Sequence, residues 1–97
     1  MAFVQIIEFK SSDIDGLRQA DDEWERATEG KRTARRKLLT RDRHDPNRYF
    51  LIVFFDSYES AMVNSELPET QDAVDVLAKL ADRSPTFYDL DVVDDRT

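Results

Sequence analysis

Tyr49-Phe50-Leu51-Ile52-Val53-Phe54-Phe55, followed by Asp56-Ser57-Tyr58-Glu59, decides how this chain folds. Seven apolar residues in a row, rich in aromatic and β-branched types, predict a strand buried on both faces. Asp56-Ser57 after it has the chemistry of a helix cap, so a helix should begin there. Asp45-Pro46-Asn47 before it is a turn signal: Asp bonds the backbone and Pro presets the next dihedral. Lys31 to Arg43 lies upstream of that turn and alternates weakly, with Ala34, Arg36, Leu38 and Thr40 on one side. It predicts a second strand, paired to the first as a hairpin.

The pattern extends outward in both directions. Phe3–Phe9 is another strand with large apolar residues on both faces. Ser12 then fits a helix cap with Asp15 three residues on. Ile14, Leu17, Ala20, Trp24 and Ala27 form one stripe of a helix reaching about Glu29, and Gly30 stands where helices stop. Beyond Tyr58, the helix carries Ala61 and Met62 and is interrupted at Leu67-Pro68-Glu69, because Pro68 disfavours helical geometry at the residue before it. A second piece, striped by Ala73, Val76, Leu77, Leu80 and Ala81, ends at Ser84-Pro85. Thr86–Val93 alternates and reads as the last strand.

The order is βαββαβ, an α+β, ferredoxin-like arrangement with an antiparallel four-stranded sheet. Right-handed crossovers put the first and third strands in the centre and the charged second and fourth strands at the edges. Residues 1–97 read as one domain, with 94–97 a frayed tail. Helices cover only one side of such a sheet, yet both central strands are apolar on both sides. A second copy of the sheet is the simplest cover, so a homodimer is expected.

Composition narrows function. Lys and Arg number 14 against 21 Asp and Glu, a net charge of −7, which argues against nucleic acid and anionic membranes as partners. There is no cysteine and one histidine, so disulfides, thiolate catalysis and cysteine-ligated metals are excluded, and no spacing of acids singles out a metal site. No apolar run approaches the roughly 20 residues of a membrane helix. The N-terminus shows no export signal, and a soluble cytoplasmic protein is the expectation.

The stretches Phe3–Phe9, Tyr49 to Met62, Leu67-Pro68-Glu69-Thr70 and Pro85–Val93 resemble the dimeric α/β-barrel group, and within it the antibiotic-biosynthesis monooxygenase-like domains. The resemblance implies homodimers whose sheets pack into a barrel, with a pocket between each sheet and its own helices. Some members oxidise polyketide-type aromatics without metal or flavin; others degrade haem, isomerise lactones or have no known activity. Many relatives carry His in the middle of the second long helix, where this chain reads Ala61-Met62-Val63-Asn64-Ser65. The Asn, Trp and His set of the haem-degrading members is not matched in order, so no haem site is carried over.

Each candidate residue has two readings. Trp24 lines an aromatic pocket or is simply core. Asn64 polarises a substrate oxygen from within the pocket, or with Ser65 satisfies backbone freed by the helix break. His44 is the obvious acid–base group, but its neighbours place it in a solvated turn. Seven of the 14 basic residues lie between Lys31 and Arg43. They hold an anion, with Arg36 a candidate oxyanion partner, or they pair with Asp89, Asp91 or Glu8 across a dimer. Without interleaved aromatics they do not read as a nucleic-acid site.

Two functions stand. The first is a cofactor-independent, monooxygenase-like enzyme acting on an apolar or aromatic small molecule. Its pocket would be lined by Trp24, Tyr88 and Met62, with Asn64 or Arg36 stabilising an oxyanion. The second is a non-catalytic small-molecule-binding or interaction homodimer of the same fold.

Overall fold

The computed structural model describes residues 2–97. Strand β1 spans Phe3–Lys10, helix α1 Ile14–Ala27, β2 Arg36–Arg41, β3 Arg48–Phe55, α2 Tyr58–Glu66, α3 Pro68–Leu80 and β4 Thr86–Asp91. All pairings are antiparallel, in the order β2-β3-β1-β4. The two apolar strands are central and the charged ones are edges, as the sequence predicts.

The second long helix is two helices. Leu67 adopts an extended conformation (φ −62°, ψ 130°) and serves as cap to both α2 and α3, and Pro68 opens α3. Pro lacks an N–H that would go unpaired at a helix start anyway. Ser57 caps α2 through a reciprocal exchange with Ser60. The cap of α1 is Asp13 rather than Ser12: the Asp13 carboxylate accepts from Gly16 N–H at 2.9 Å. Its neighbour Ser11 is fully buried instead. The Ser11 N–H donates to Asn47 O in the β2–β3 turn and its hydroxyl to Leu80 O at the end of α3, joining three element ends. Helix α1 ends at Ala27, which is exposed; Thr28 is the buried residue, its hydroxyl donating to Trp24 O. Gly30 sits at φ +78°, where a side chain is disfavoured. Strand β2 begins only at Arg36, so Lys31 to Arg35 is a connection.

Register sorts every strand residue by parity. Ile7 faces Leu51 and Phe87, Ile6 faces Ile52 and Tyr88, and Leu38 faces Ile52. Odd residues therefore share one face across the whole sheet and even residues share the other. The odd face carries Phe3, Ile7, Phe9, Tyr49, Leu51, Val53 and Phe55, all buried, and packs toward Leu17 and Leu77 of α1 and α3. Fully burying each such side chain contributes about 1.5–3 kcal/mol. The even face carries Val4, Ile6, Phe50, Ile52 and Phe54, only partly buried, with Tyr88 and Leu90 exposed.

Candidate functional site

Helices α1 and α3 do not close fully onto the odd face. A cavity of about 520 Å³ lies between them and the sheet. That volume is in the range of small-molecule sites. Its floor is Ile7, Leu51 and Val53, its roof Leu17, Trp24 and Leu77, and Phe87 stands at its edge. Among mostly apolar walls, a few polar groups enter.

Trp24 is one of them, 8% exposed and on the apolar stripe of α1. Its indole N–H donates to Thr70 Oγ1 at 3.0 Å, tying α1 to the start of α3. Asn64 comes from the last turns of α2 and is 4% exposed. Thr33 N–H donates to its Oδ1 at 3.2 Å. A backbone N–H can only donate, so this bond fixes which way the amide faces. The amide nitrogen then has no protein acceptor among the described residues. The Asn64 side chain thus caps the loop before β2 while keeping its donor side free. Ser65 lines the same cavity, but its hydroxyl donates to Ala61 O within the helix. The free backbone at the helix break is served partly by backbone, with Leu67 N–H donating to Asn64 O.

Lys37 and Asp21 line the cavity as an ion pair, and Gln5, Gln71 and Asp75 are its further polar residues. Lys37 Nζ lies 2.6 Å from Asp21 Oδ1 and 4.4 Å from the centre of the Trp24 ring. An ammonium over an indole face is attracted by its quadrupole.

Of the residues expected in a pocket, Trp24 and Asn64 are brought together here and three are not. Arg36 and Tyr88 are even residues, so they lie on the opposite face of the sheet; Lys37 and Phe87 take the cavity side. Arg36 lies over Phe54, 6.0 Å from its ring. Tyr88 donates to Glu8 at 2.9 Å, and Arg48 donates to the same carboxylate at 2.7 and 3.0 Å. Hydrogen bonds from Arg48, then Tyr88, hold the Glu8 carboxyl below its ordinary value, and Glu8 raises the Tyr88 phenol. Met62 packs beside Phe3, Val53, Phe55 and Ala61, outside the cavity wall. His44 is exposed at the β2–β3 turn, its N–H bonded to Asp42 Oδ1.

The basic segment finds carboxylate partners within its own chain. Lys31 pairs with Glu69, Arg35 with Asp56 and Lys37 with Asp21, all within one chain. Glu8 is taken by Arg48 rather than by Arg36. No group of three or more His, Asp or Glu side chains among the described residues is arranged to hold a metal, and none of the helices is long and apolar enough to cross a membrane.

No family model and no curated protein matches the sequence. Solved structures do match, along nearly the whole chain. Rv0793 from Mycobacterium tuberculosis superposes with a TM-score of 0.81 at 15% identity, covering 100% of both chains. A candidate antibiotic biosynthesis monooxygenase from Deinococcus radiodurans gives 0.77 at 17%, covering 100% of this chain and 97% of that one. Another, from Chloroflexus aurantiacus, gives 0.74 at 18%, covering 100% and 98%. The fold is that of the antibiotic-biosynthesis monooxygenase-like structures; identities this low carry no residue roles across.

Proposed function

We propose that the chain is a small oxygenase, which takes a flat, mainly apolar aromatic molecule into the sheet–helix cavity and oxidises it with dioxygen. The observation that carries this reading is Asn64. A buried amide whose acceptor is spent on Thr33 N–H, and whose donors are free at an apolar cavity, suits an oxygen that gains negative charge. The reaction class is proposed from the names borne by the structures this fold resembles. An electron-rich phenol gives up its hydroxyl proton, and the resulting anion supplies electrons to dioxygen. One oxygen atom enters the ring as a quinone carbonyl; the other leaves as water with the two hydrogens the substrate loses. Asn64 would hold the phenolate oxygen, and Trp24 would stack on the ring.

An oxygen electrode with a panel of phenols and quinols tests this, with no metal or flavin added. The expected result is uptake above the uncatalysed background, one dioxygen per quinone formed. Asn64→Asp keeps an acceptor for Thr33 N–H but removes both donors, and should lower kcat by about 10²–10³. Background uptake throughout would favour the second reading, a non-catalytic binding protein. One observation favours that reading: the single histidine lies at an exposed turn, so the cavity wall holds no imidazole to move a proton.

We also infer a homodimer through the even face. Its support is the row Val4, Ile6, Phe50, Ile52 and Phe54, which no helix of the same chain covers. Leaving five large apolar side chains partly in water forfeits a share of the about 1.5–3 kcal/mol that each contributes when fully buried. Sedimentation equilibrium should give twice the 11.3 kDa chain mass. Ile52→Glu should aggregate rather than yield a soluble monomer, and a folded wild-type monomer at low micromolar concentration would contradict the interface.

A further inference from the structure

A second cleft adjoins the cavity. This smaller cleft, of about 260 Å³, shares Asp21, Trp24 and Lys37 with it, and continues past them to Arg32, Arg35 and Arg36. The shared residues border both spaces, the apolar and the basic.

The cations there are not equally paired. Four cations and two acids, Asp21 and Glu25, line the cleft. Asp56 takes Arg35 at 2.6 Å and Asp21 takes Lys37. Arg36 turns to the other face of the sheet over Phe54, and Arg32 remains, with no carboxylate within ion-pair distance among the described residues. Arg32 donates only to neutral oxygens, Glu25 O at 2.8 Å and Thr28 Oγ1 at 3.5 Å. Its guanidinium carbon lies 5.7 Å from the Trp24 ring centre, so two cations, Arg32 and Lys37, attend one indole. Like charges brought together repel, and an anion between them relieves that cost. Lys37 has three protons, and Asp21 is its one carboxylate within ion-pair distance among the described residues.

We propose that the ligand is an aromatic carboxylate, its rings in the larger cavity and its carboxylate in the basic cleft between Lys37 and Arg32. The proposal rests on the reading of the larger cavity as the ligand site. A carboxylate suits the position because a guanidinium fork presents parallel N–H groups to two coplanar oxygens. It also gives the basic segment a role that its ion pairs alone do not. Asp21 competes with the ligand for Lys37, so it sets how tightly the anion is held.

Isothermal titration calorimetry with 2-naphthoate and its uncharged isostere 2-naphthamide, at neutral pH and low salt, tests the assignment. Carboxylic acids are ionised there, their ordinary pKa being about 4. The wild-type chain should bind the carboxylate at least tenfold tighter than the amide. That ratio should fall to about one in Lys37→Met/Arg32→Met, survive in Lys37→Arg, and rise in Asp21→Asn. The ratio compares two ligands on one variant, so a general loss of affinity does not move it. Where the double variant does not fold, high salt on the wild type should abolish the ratio instead. Equal binding of the two compounds to the wild type, or a ratio that survives both double substitution and salt, overturns the proposal and leaves the cavity reading standing. Binding of neither compound overturns both.

Discussion

The two faces of the sheet are made by adjacent residues of the same strands, and they are finished differently. The odd face is covered by α1 and α3 and keeps a cavity within its apolar packing. The even face is nearly as apolar but has no helix covering it among the described residues. Each face admits charge in its own way. On the even face, Glu8 in a central strand is held by Arg48 and Tyr88, and Arg48 also lies 4.9 Å over Phe50. On the odd face, Lys37 reaches Asp21 on a helix and lies over Trp24. The contrast teaches that hydrophobicity alone does not tell which face is a site. What marks the site is polar groups with unspent donors inside an apolar enclosure.

The contrast is sharpest at Leu51 and Ile52, neighbours on β3 with opposite faces. Leu51→Ala should cost about 2–5 kcal/mol, because the buried side chain leaves a hole against Leu17 and Leu77. That cost should not vary with protein concentration. Ile52→Ala should cost less at high dilution and more where the dimer forms. Chemical denaturation at two concentrations far apart separates them, and equal, concentration-independent losses would erase the proposed difference.

A smaller effect is expected at two threonines. Thr70→Val leaves the Trp24 indole N–H without its partner in a partly buried site, for about 1–3 kcal/mol, with a shift in tryptophan emission. Thr40→Val removes only a hydroxyl that donates to Phe50 O on the even face, and should cost about 0.5–1.5 kcal/mol with no change in emission. Chemical denaturation and emission spectra read both, and a larger loss at Thr40 would reverse the assignment.

The smallest effect concerns acid. Glu8 has its pKa lowered from 4.5 in the fold by its bonds to Arg48 and Tyr88. A depressed carboxyl binds fewer protons folded than unfolded, so its contribution is present above pH 4.5 and is lost as pH falls through the lower folded value. Glu8 is accessible to water, so the slope is shallow. Glu8→Gln should flatten the fall of the thermal midpoint below pH 4.5, and an unchanged profile would remove Glu8 from the account.

Much of this fold was legible because its cues are local. The double-sided apolar strands, the Asp45-Pro46-Asn47 turn and the Leu67-Pro68 break each act through neighbouring residues. The site was legible in part. Trp24 follows from its helical stripe, and Asn64 from its place before the break. The sequence points to Arg36 and Tyr88 where Lys37 and Phe87 face the cavity, a slip of one residue on each edge strand. A one-residue slip exchanges faces, and central strands apolar on both sides give no local clue to which face is which. Glu8 holds that clue: a carboxylate in a central strand marks the face without helices, and the even pairing sums carry that parity to every strand. Met62 is a different case. It is apolar and near Asn64 in sequence, but on α2 it turns toward Phe3 and Phe55. The cleft beyond Lys37 was not legible, since it depends on where Arg32 lies relative to Trp24.

The central claim is that the odd face holds the ligand and the even face does not. Proton–nitrogen correlation spectra of the labelled chain, titrated with 2-naphthoate, test it most directly. The side-chain amide of Asn64 and the indole N–H of Trp24 should shift together and saturably, with backbone signals of Leu51 and Val53 moving more than those of Ile52 and Tyr88. Shifts concentrated at Ile52, Phe54 and Tyr88, with the Asn64 and Trp24 side-chain signals unmoved, would contradict the account.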